Sequence, residues 1–251
     1  MSSFLLALQF LTIIPVKVNY IDDKQIAKST IYFPIIGLLL GLVLAGTNNL
    51  LCLLVFAPLS INIVLVISLA FLTGGIHLDG LADSADAFLS RKKKEEMLGI
   101  MRDSHIGAMG VLSLISIILL KIALLLSLNT PLKTASLLLM CTLSRWSMVF
   151  LMFLFSYARQ EGKARAFFQG MNPKIFIFST IMALICAFTI WQIKALVIFV
   201  IIAVCSYVIG WSINKKLGGV TGDTLGATNE MIEVMTLLCI CILERSLAWI
   251  R

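Results

Sequence analysis

The most informative stretch of the chain is residues 59–88, LSINIVLVISLAFLTGGIHLDGLADSADAF, in which a long apolar segment runs directly into three aspartates. Asp79, Asp83 and Asp86 stand four and three residues apart, so at 3.6 residues per turn they share one stripe of a helix. Their charges would repel one another unless a cation lay between them. Mg²⁺ prefers carboxylate oxygen and keeps waters for phosphate. The spacing predicts a magnesium-dependent phosphate site at a membrane surface.

The composition indicates a polytopic helical membrane protein. Of the 251 residues, 60% are hydrophobic and 13% are charged, and the mean hydropathy is +1.02; soluble proteins average about 25% charged residues. The six cysteines lie in apolar stretches without metal-ligand spacing, so neither a disulfide framework nor zinc is expected. We find no linker or internal repeat, and we treat residues 1–251 as a single membrane-embedded domain.

Stretches of roughly 20 apolar residues between polar breaks predict about seven transmembrane helices in an all-α bundle. The apolar segment from Phe4 to Val16 is too short to cross the membrane and is closed by Pro15. We therefore predict a short interfacial or re-entrant helix there. The predicted spans are residues 33–56, 59–78, 107–128, 132–156, 175–193, 195–213 and 225–249.

The distribution of basic residues predicts the orientation of these spans. Lys and Arg concentrate in four segments, and successive crossings of the membrane place all four on the same side. The loops on the opposite side carry little positive charge beyond Lys133 and Lys194. The positive-inside rule makes the basic side cytoplasmic. Attraction to anionic lipid accounts for the net charge of +7, and no nucleic-acid partner is needed. The basic segments are residues 17–28, 91–102, 159–174 and 215–216.

Two further motifs lie on the predicted cytoplasmic side. Residues 100–110, IMRDSHIGAMG, carry Asp103 and His105 just before a span, and residues 218–230, GGVTGDTLGATNE, carry Asp223 at the start of the last span. Glycines permit close backbone approach, and helix amino ends favour anions. Each motif is a weak signal alone, but with the aspartate stripe they predict a diphosphate pocket.

These segments resemble a known family. HLDGLADSADA from His77, MRDSHIG from Met101 and GDTLGATNE from Gly222 resemble the signature segments of cobalamin synthase, the adenosylcobinamide-GDP ribazoletransferase family. The segments LQFLTIIP from Leu8 and FPIIG from Phe33 also fit, so the resemblance spans nearly the whole chain. It implies an integral membrane enzyme, dependent on Mg²⁺, that joins the lower ligand to the corrinoid.

The resemblance implies small-molecule substrates and a set of residue roles. A hydroxyl of α-ribazole or of its 5′-phosphate attacks the corrinoid-side phosphorus of adenosylcobinamide-GDP and expels GMP. No cofactor beyond Mg²⁺ is expected, and a homo-oligomer is compatible with the sequence. The implied metal ligands are Asp79, Asp83, Asp86 and Glu230; the substrate-binding residues are Arg102, Asp223, Asn229 and Arg145; the general-base candidates are Asp103, His77 and His105.

Several of these assignments keep alternatives. Asp103 is either a further metal ligand or the base, and Asp223 with Glu230 either completes the metal site or orients a ribose. Arg145 lies in mid-span, where an isolated charge is costly, so it either pairs with Glu230 or Glu233 or holds substrate phosphate.

Two other classes of protein are alternatives to this enzyme. A CDP-alcohol phosphotransferase also places aspartates on a membrane helix, but its motif continues with an Ala-Arg pair, whereas Ala82 precedes Asp83 here. A cation-coupled transporter would use Arg145, Glu230 and Glu233 along an ion path and would place its acids near the bilayer midplane.

Overall fold

The computed structural model describes residues 2–16, 22–162 and 164–249. Over these ranges the chain forms helices and no strand, as expected for an all-α bundle. The helices are α1 (Ser2–Leu11), α2 (Asp23–Ser29), α3 (Phe33–Leu53), α4 (Pro58–Leu72), α5 (Ile76–Leu89), α6 (Lys94–Ile100), α7 (Ala108–Leu126), α8 (Thr130–Leu154), α9 (Arg165–Gln169), α10 (Pro173–Leu217) and α11 (Gly222–Trp249).

Helix α8 lies at the centre of the bundle, with α3, α10 and α11 packed around it. Gly37 and Gly41 of α3 face the backbone of α8, and a Cβ added at Gly37 would lie 2.2 Å from the carbonyl oxygen of Cys141. Small residues allow this approach, as in membrane helix pairs generally. The outer faces expose apolar side chains such as Leu42, Val43 and Leu119, which suits a lipid environment.

The number of spans differs from the sequence prediction. In the described residues, five helices are long and apolar enough to cross a membrane when α10 is counted as one helix, or six if α4 and α5 together form one broken span. The count of seven is therefore not confirmed. The continuous span predicted at 59–78 is wrong, because α4 and α5 meet at a bend of 90°. Gly74 and Gly75 allow the bend by adopting the left-handed region, with φ of 62° and 70°.

Helix α10 is folded back on itself near its middle. Trp191 and Gln192 have non-helical backbone angles. Trp146 of α8 donates a hydrogen bond to Thr180 Oγ1 at 3.1 Å and packs 4.3 Å from the ring of Phe199. In a straight helix residues 180 and 199 would lie about 28 Å apart, so the chain reverses between them. The two arms correspond to the segments predicted at 175–193 and 195–213.

The amino-terminal helix α1 is short, as predicted, but it packs into the bundle. Ala7 and Leu11 are buried, and the ring of Phe10 contacts those of Phe33 and Phe167. Its contacts place it against the segments that enclose the site described next.

Candidate functional site

A cavity of about 630 Å³ opens where four distant segments of the chain meet. The start of α5, the loop before α7, the loop after α8 and the start of α11 each contribute to its wall. These are the segments that the sequence predicted on one side of the membrane. Its charged and polar lining includes His77, Asp79, Asp83, Arg102, Asp103, Ser104, Tyr157, Arg159 and Asp223.

The acidic part of this cavity combines α5 with α11. Asp79 is exposed on the first turn of α5, and Asp83 lies half-buried one turn later. The charges acting on Asp83 are those of Asp79, Asp223 and Asp86, opposed by Arg159. Negative charge therefore exceeds positive charge around Asp83, as expected for a site that receives a cation.

Two glycines bring these helices close enough to share the site. A Cβ added at Gly80 would lie 2.6 Å from the carbonyl oxygen of Asp223, and one at Gly226 would lie 3.2 Å from the Cα of His77. Any side chain at Gly80 would push α11 away. The glycine between the aspartates therefore places Asp223 beside the stripe.

Asp86 makes a different set of contacts from the other two aspartates of the stripe. One of its oxygens accepts a hydrogen bond from the N–H of Gly107 at 2.7 Å and the other from the N–H of Gly110 at 2.8 Å. These N–H groups are among those that the start of α7 leaves unpaired, and a carboxylate there also suits the helix dipole. Asp86 is not among the residues that line the cavity, so its contacts explain it as a cap of α7.

The three candidate bases differ in environment. His77 is 2% exposed, and neither ring nitrogen has a hydrogen-bond partner in the described structure. Asp103 lines the cavity and contacts His105, whose Nδ1 lies 2.6 Å from Asp103 Oδ1. This hydrogen bond lowers the pKa of Asp103. His105 itself lies outside the cavity lining, with an exposed side chain.

Two lining residues, Arg159 and Tyr157, were missed as site residues by the sequence analysis. Arg159 Nη2 donates to Asp223 Oδ2 at 2.6 Å across a separation of 64 residues. Burial raises the pKa of the Tyr157 hydroxyl, so it stays protonated at neutral pH. The sequence places both in a polar loop after a span, and Arg159 was counted there only as topological charge.

Backbone pairing holds this loop against the start of α11. Ala158 N–H donates to the Val220 carbonyl and Val220 N–H donates to the Ser156 carbonyl, both at 2.9 Å. We refer to this pairing of residues 156–158 with Val220 as the backbone bridge. It fixes the separation of the two chain segments from which Arg159 and Asp223 project.

The remaining predicted residues lie in a buried cluster between α7, α8 and α11. Lys121 Nζ donates to Glu230 Oε2 at 2.6 Å and also pairs with Glu233, which binds Arg145. Asn229 Nδ2 donates to Glu233 Oε1 at 3.1 Å. We call these five residues the buried charge cluster. The predicted pairing of Arg145 with Glu230 or Glu233 is thereby confirmed for Glu233 of α11. Arg145, Asn229 and Glu230 do not line the cavity.

The described residues contain no group of three or more His, Cys, Asp or Glu side chains arranged to enclose a metal ion. None of the six cysteines, all within the described ranges, forms a disulfide. Mg²⁺ commonly binds through one or two carboxylates together with waters and substrate phosphates. The oxygen donors of Asp79 and Asp83 fit that chemistry, whereas a metal bound wholly by protein ligands does not fit.

Comparisons with known proteins point to a single family. A family model described as cobalamin-5-phosphate synthase matches residues 3–241. A protein of Desulforamulus reducens named adenosylcobinamide-GDP ribazoletransferase is 34% identical, over 95% of this chain and 96% of its own length. Proteins of the same name from Geotalea daltonii and Klebsiella pneumoniae strain 342 are 36% and 35% identical, over 94% and 95% of this chain and 95% and 98% of their own. No solved structure matches the chain.

Proposed function

The chain belongs to the cobalamin-5-phosphate synthase family, and we propose that it is an adenosylcobinamide-GDP ribazoletransferase that works with Mg²⁺ in the aspartate-lined cavity. The observation that carries this proposal is the meeting, in one cavity, of Asp79, Asp83 and Asp223 with Arg102 and Arg159. Carboxylates suit a hydrated cation, and guanidinium groups suit phosphate oxygens. Together they match a metal-bound diphosphate.

The proposed reaction replaces a phosphoanhydride oxygen on the corrinoid-side phosphorus with an ester oxygen. A hydroxyl oxygen of α-ribazole, or of its 5′-phosphate, forms a bond to the corrinoid-side phosphorus of adenosylcobinamide-GDP. The bond from that phosphorus to the bridging oxygen breaks, and GMP leaves with the oxygen. The hydroxyl proton passes to a base, and the product is adenosylcobalamin or its 5′-phosphate.

We assign Mg²⁺ to Asp79 and Asp83, with substrate phosphate and water as the remaining ligands. The ion would neutralise the diphosphate and the departing GMP. Asp223 is engaged by Arg159 and so orients that guanidinium towards the cavity. We assign Arg159 and Arg102 to the phosphate oxygens. Asp86 caps α7 and thereby holds the 101–106 loop in the wall.

His77 and Asp103 are the two candidates in the cavity lining for the acceptor of the hydroxyl proton. The His77 ring lines the cavity and both nitrogens lack partners in the described structure, so a neutral imidazole offers a free lone pair. Asp103 already accepts hydrogen bonds from the backbone and side chain of His105. Burial of the His77 ring and the nearby charges of Arg145 and Lys121 disfavour a protonated imidazole, so neither candidate is preferred.

We further propose that the protein lies in a bacterial or archaeal cytoplasmic membrane with the cavity facing the cytoplasm. The basic segments predicted on the cytoplasmic side contribute Arg102 and Arg159 to the cavity wall. An anionic substrate approaching this face would be attracted by the same charges.

A GMP-release assay tests the proposal. Purified protein in lipid nanodiscs is given adenosylcobinamide-GDP and α-ribazole or its 5′-phosphate, with Mg²⁺ or with excess EDTA. We expect GMP and the cobalamin product in equal amounts with Mg²⁺ and neither with EDTA, with activity restored by added Mg²⁺. Absence of GMP with both acceptors would contradict the transferase assignment, and full turnover in EDTA would contradict the metal assignment.

A further inference from the structure

A second cavity, of about 820 Å³, lies beside the first, between the end of α8 and the start of α10. Tyr157 and Arg159 line both cavities, so the two share a wall. The aspartates of the first cavity are not among the residues that line the second. The second cavity therefore adjoins the proposed phosphate site without belonging to it.

Aromatic and polar side chains together form the lining of this second cavity. Phe155, Tyr157 and Phe168 contribute rings, and those of Tyr157 and Phe168 lie 5.0 Å apart at 41°. Gln160 and Gln169 contribute amides. Rings bind the flat face of a base, and amides bind its edge and the ribose hydroxyls. This combination suits a nucleoside.

A positive charge is also held at this cavity. The guanidinium of Arg165 on α9 donates to the backbone carbonyl of Gln160, which ties the helix to the loop that follows α8. Arg159 adds a second guanidinium at the shared wall, and Glu161 contributes the opposite charge. Phe168 lies on the same short helix as Arg165. The ring of Phe168 and the guanidinium of Arg165 therefore both project from α9.

Building on the proposed function, we propose that the second cavity binds the nucleoside acceptor, with its planar base on Phe168 and Tyr157 and its ribose at the wall shared with Arg159. Phosphoryl transfer places the attacking and leaving oxygens roughly in line on opposite sides of the phosphorus. The acceptor therefore needs a binding surface of its own beside the diphosphate. The shared wall gives its hydroxyl a short path to the first cavity.

The test separates the Michaelis constants of the two substrates. Phe168→Ala removes the ring, Phe168→Tyr keeps it, and Phe178→Ala is the matched control, because Phe178 is an exposed aromatic of α10 outside both cavities. In Phe168→Ala we expect KM for α-ribazole to rise roughly tenfold, with kcat and KM for adenosylcobinamide-GDP within about twofold of the parent. Phe168→Tyr and Phe178→Ala are expected to match the parent.

Binding without turnover provides an independent measurement. Equilibrium dialysis of α-ribazole in the absence of donor should show binding to the parent and Phe168→Tyr, and roughly tenfold weaker binding to Phe168→Ala. If Phe168→Ala does not fold, Phe168→Leu replaces it, since leucine fills space without a stacking face. Unchanged acceptor KM and binding would overturn the proposal.

A rise in KM for adenosylcobinamide-GDP instead of α-ribazole would also overturn the proposal, because it would place the guanosine of the donor in this cavity. These outcomes are distinct from failure of the proposed function, which would appear as a parent protein that releases no GMP. If the parent releases GMP and the variants keep the parent's KM for α-ribazole, the transferase assignment stands and the assignment of the acceptor to the second cavity fails.

Discussion

The acids of the cavity and those of the buried charge cluster face opposite electrostatic conditions. Glu230 and Glu233 are matched by Lys121 and Arg145, giving two acids and two bases inside the bundle. Of Asp79, Asp83 and Asp223, only Asp223 has an ion-pair partner among the described residues, and that partner is Arg159. A buried group must be neutralised for the fold to persist, whereas an acid at an open cavity can be left for a ligand. The balance of charge therefore separates the acids that are neutralised inside the bundle from those that we propose to bind the metal ion.

The largest effect is expected at the cavity. Asp83→Asn should lower GMP-release turnover about 1,000-fold, because it removes a ligand for the ion that neutralises transition-state charge. The same change should leave the unfolding temperature equal or higher, because it relieves repulsion from Asp79 and Asp223. Both quantities would be measured on one nanodisc preparation.

The control for this change is Glu95→Gln, at an exposed acid of α6 outside the cavity lining, which should alter neither quantity. Near-normal turnover in Asp83→Asn would contradict the metal assignment. A large fall in its unfolding temperature would place Asp83 with the structural acids.

A smaller but substantial effect is expected in the buried charge cluster. Arg145→Ala leaves two acids facing Lys121 alone and should destabilise the protein by about 3 kcal/mol. Arg145→Ala combined with Glu233→Ala keeps the matched pair of Lys121 and Glu230, so part of the stability should return. Chemical unfolding in detergent would measure both.

The control is the surface ion pair of Lys92 and Glu96, whose side chains are each about half exposed. Lys92→Ala should cost less than about 1 kcal/mol. A double variant of the buried charge cluster less stable than Arg145→Ala alone would mean that Glu233 stabilises the bundle through contacts other than Arg145.

The smallest effect concerns Asp103 and His105 at the exposed edge of the cavity. Because the hydrogen bond lowers the pKa of Asp103, its stabilising contribution is present above the ordinary aspartate pKa of about 3.9 and is lost as pH falls through the lowered value. His105→Ala should therefore be slightly less stable than the parent at pH 5 to 6. Melting curves between pH 6 and pH 3 should converge at the acid end, and a difference that grew on acidification would contradict this.

Much of the fold follows from the sequence because its signals are local. Apolar length predicted α3, α7, α8 and α11 to within a few residues, and the i, i+4, i+7 spacing placed Asp79, Asp83 and Asp86 on one helix. The break at 73–75 was missed because apolar residues continue on both sides of it. A pair of adjacent glycines was the available signal.

The sequence predicted which segments share one side of the membrane, but not the contacts between residues of different segments. Spacing could show that Asp86 joins the stripe, but not that Gly107 and Gly110 donate to it from another helix. Similarly, the ion pair of Arg159 with Asp223 depends on a fold that brings together residues far apart in the chain. Arg145 was the exception, because the cost of burying a charge requires a partner whatever the fold.

The backbone bridge between residues 156–158 and Val220 has a consequence for biogenesis. Synthesis proceeds from the amino terminus, so the first partner of this bridge emerges well before the second. Until α11 has been inserted, Asp223 is missing, Arg159 has no carboxylate opposite it, and the cavity lacks a wall. The wall of the cavity is therefore complete only once α11 is in place, after the segments that carry Asp79, Asp83 and Arg159 have been made.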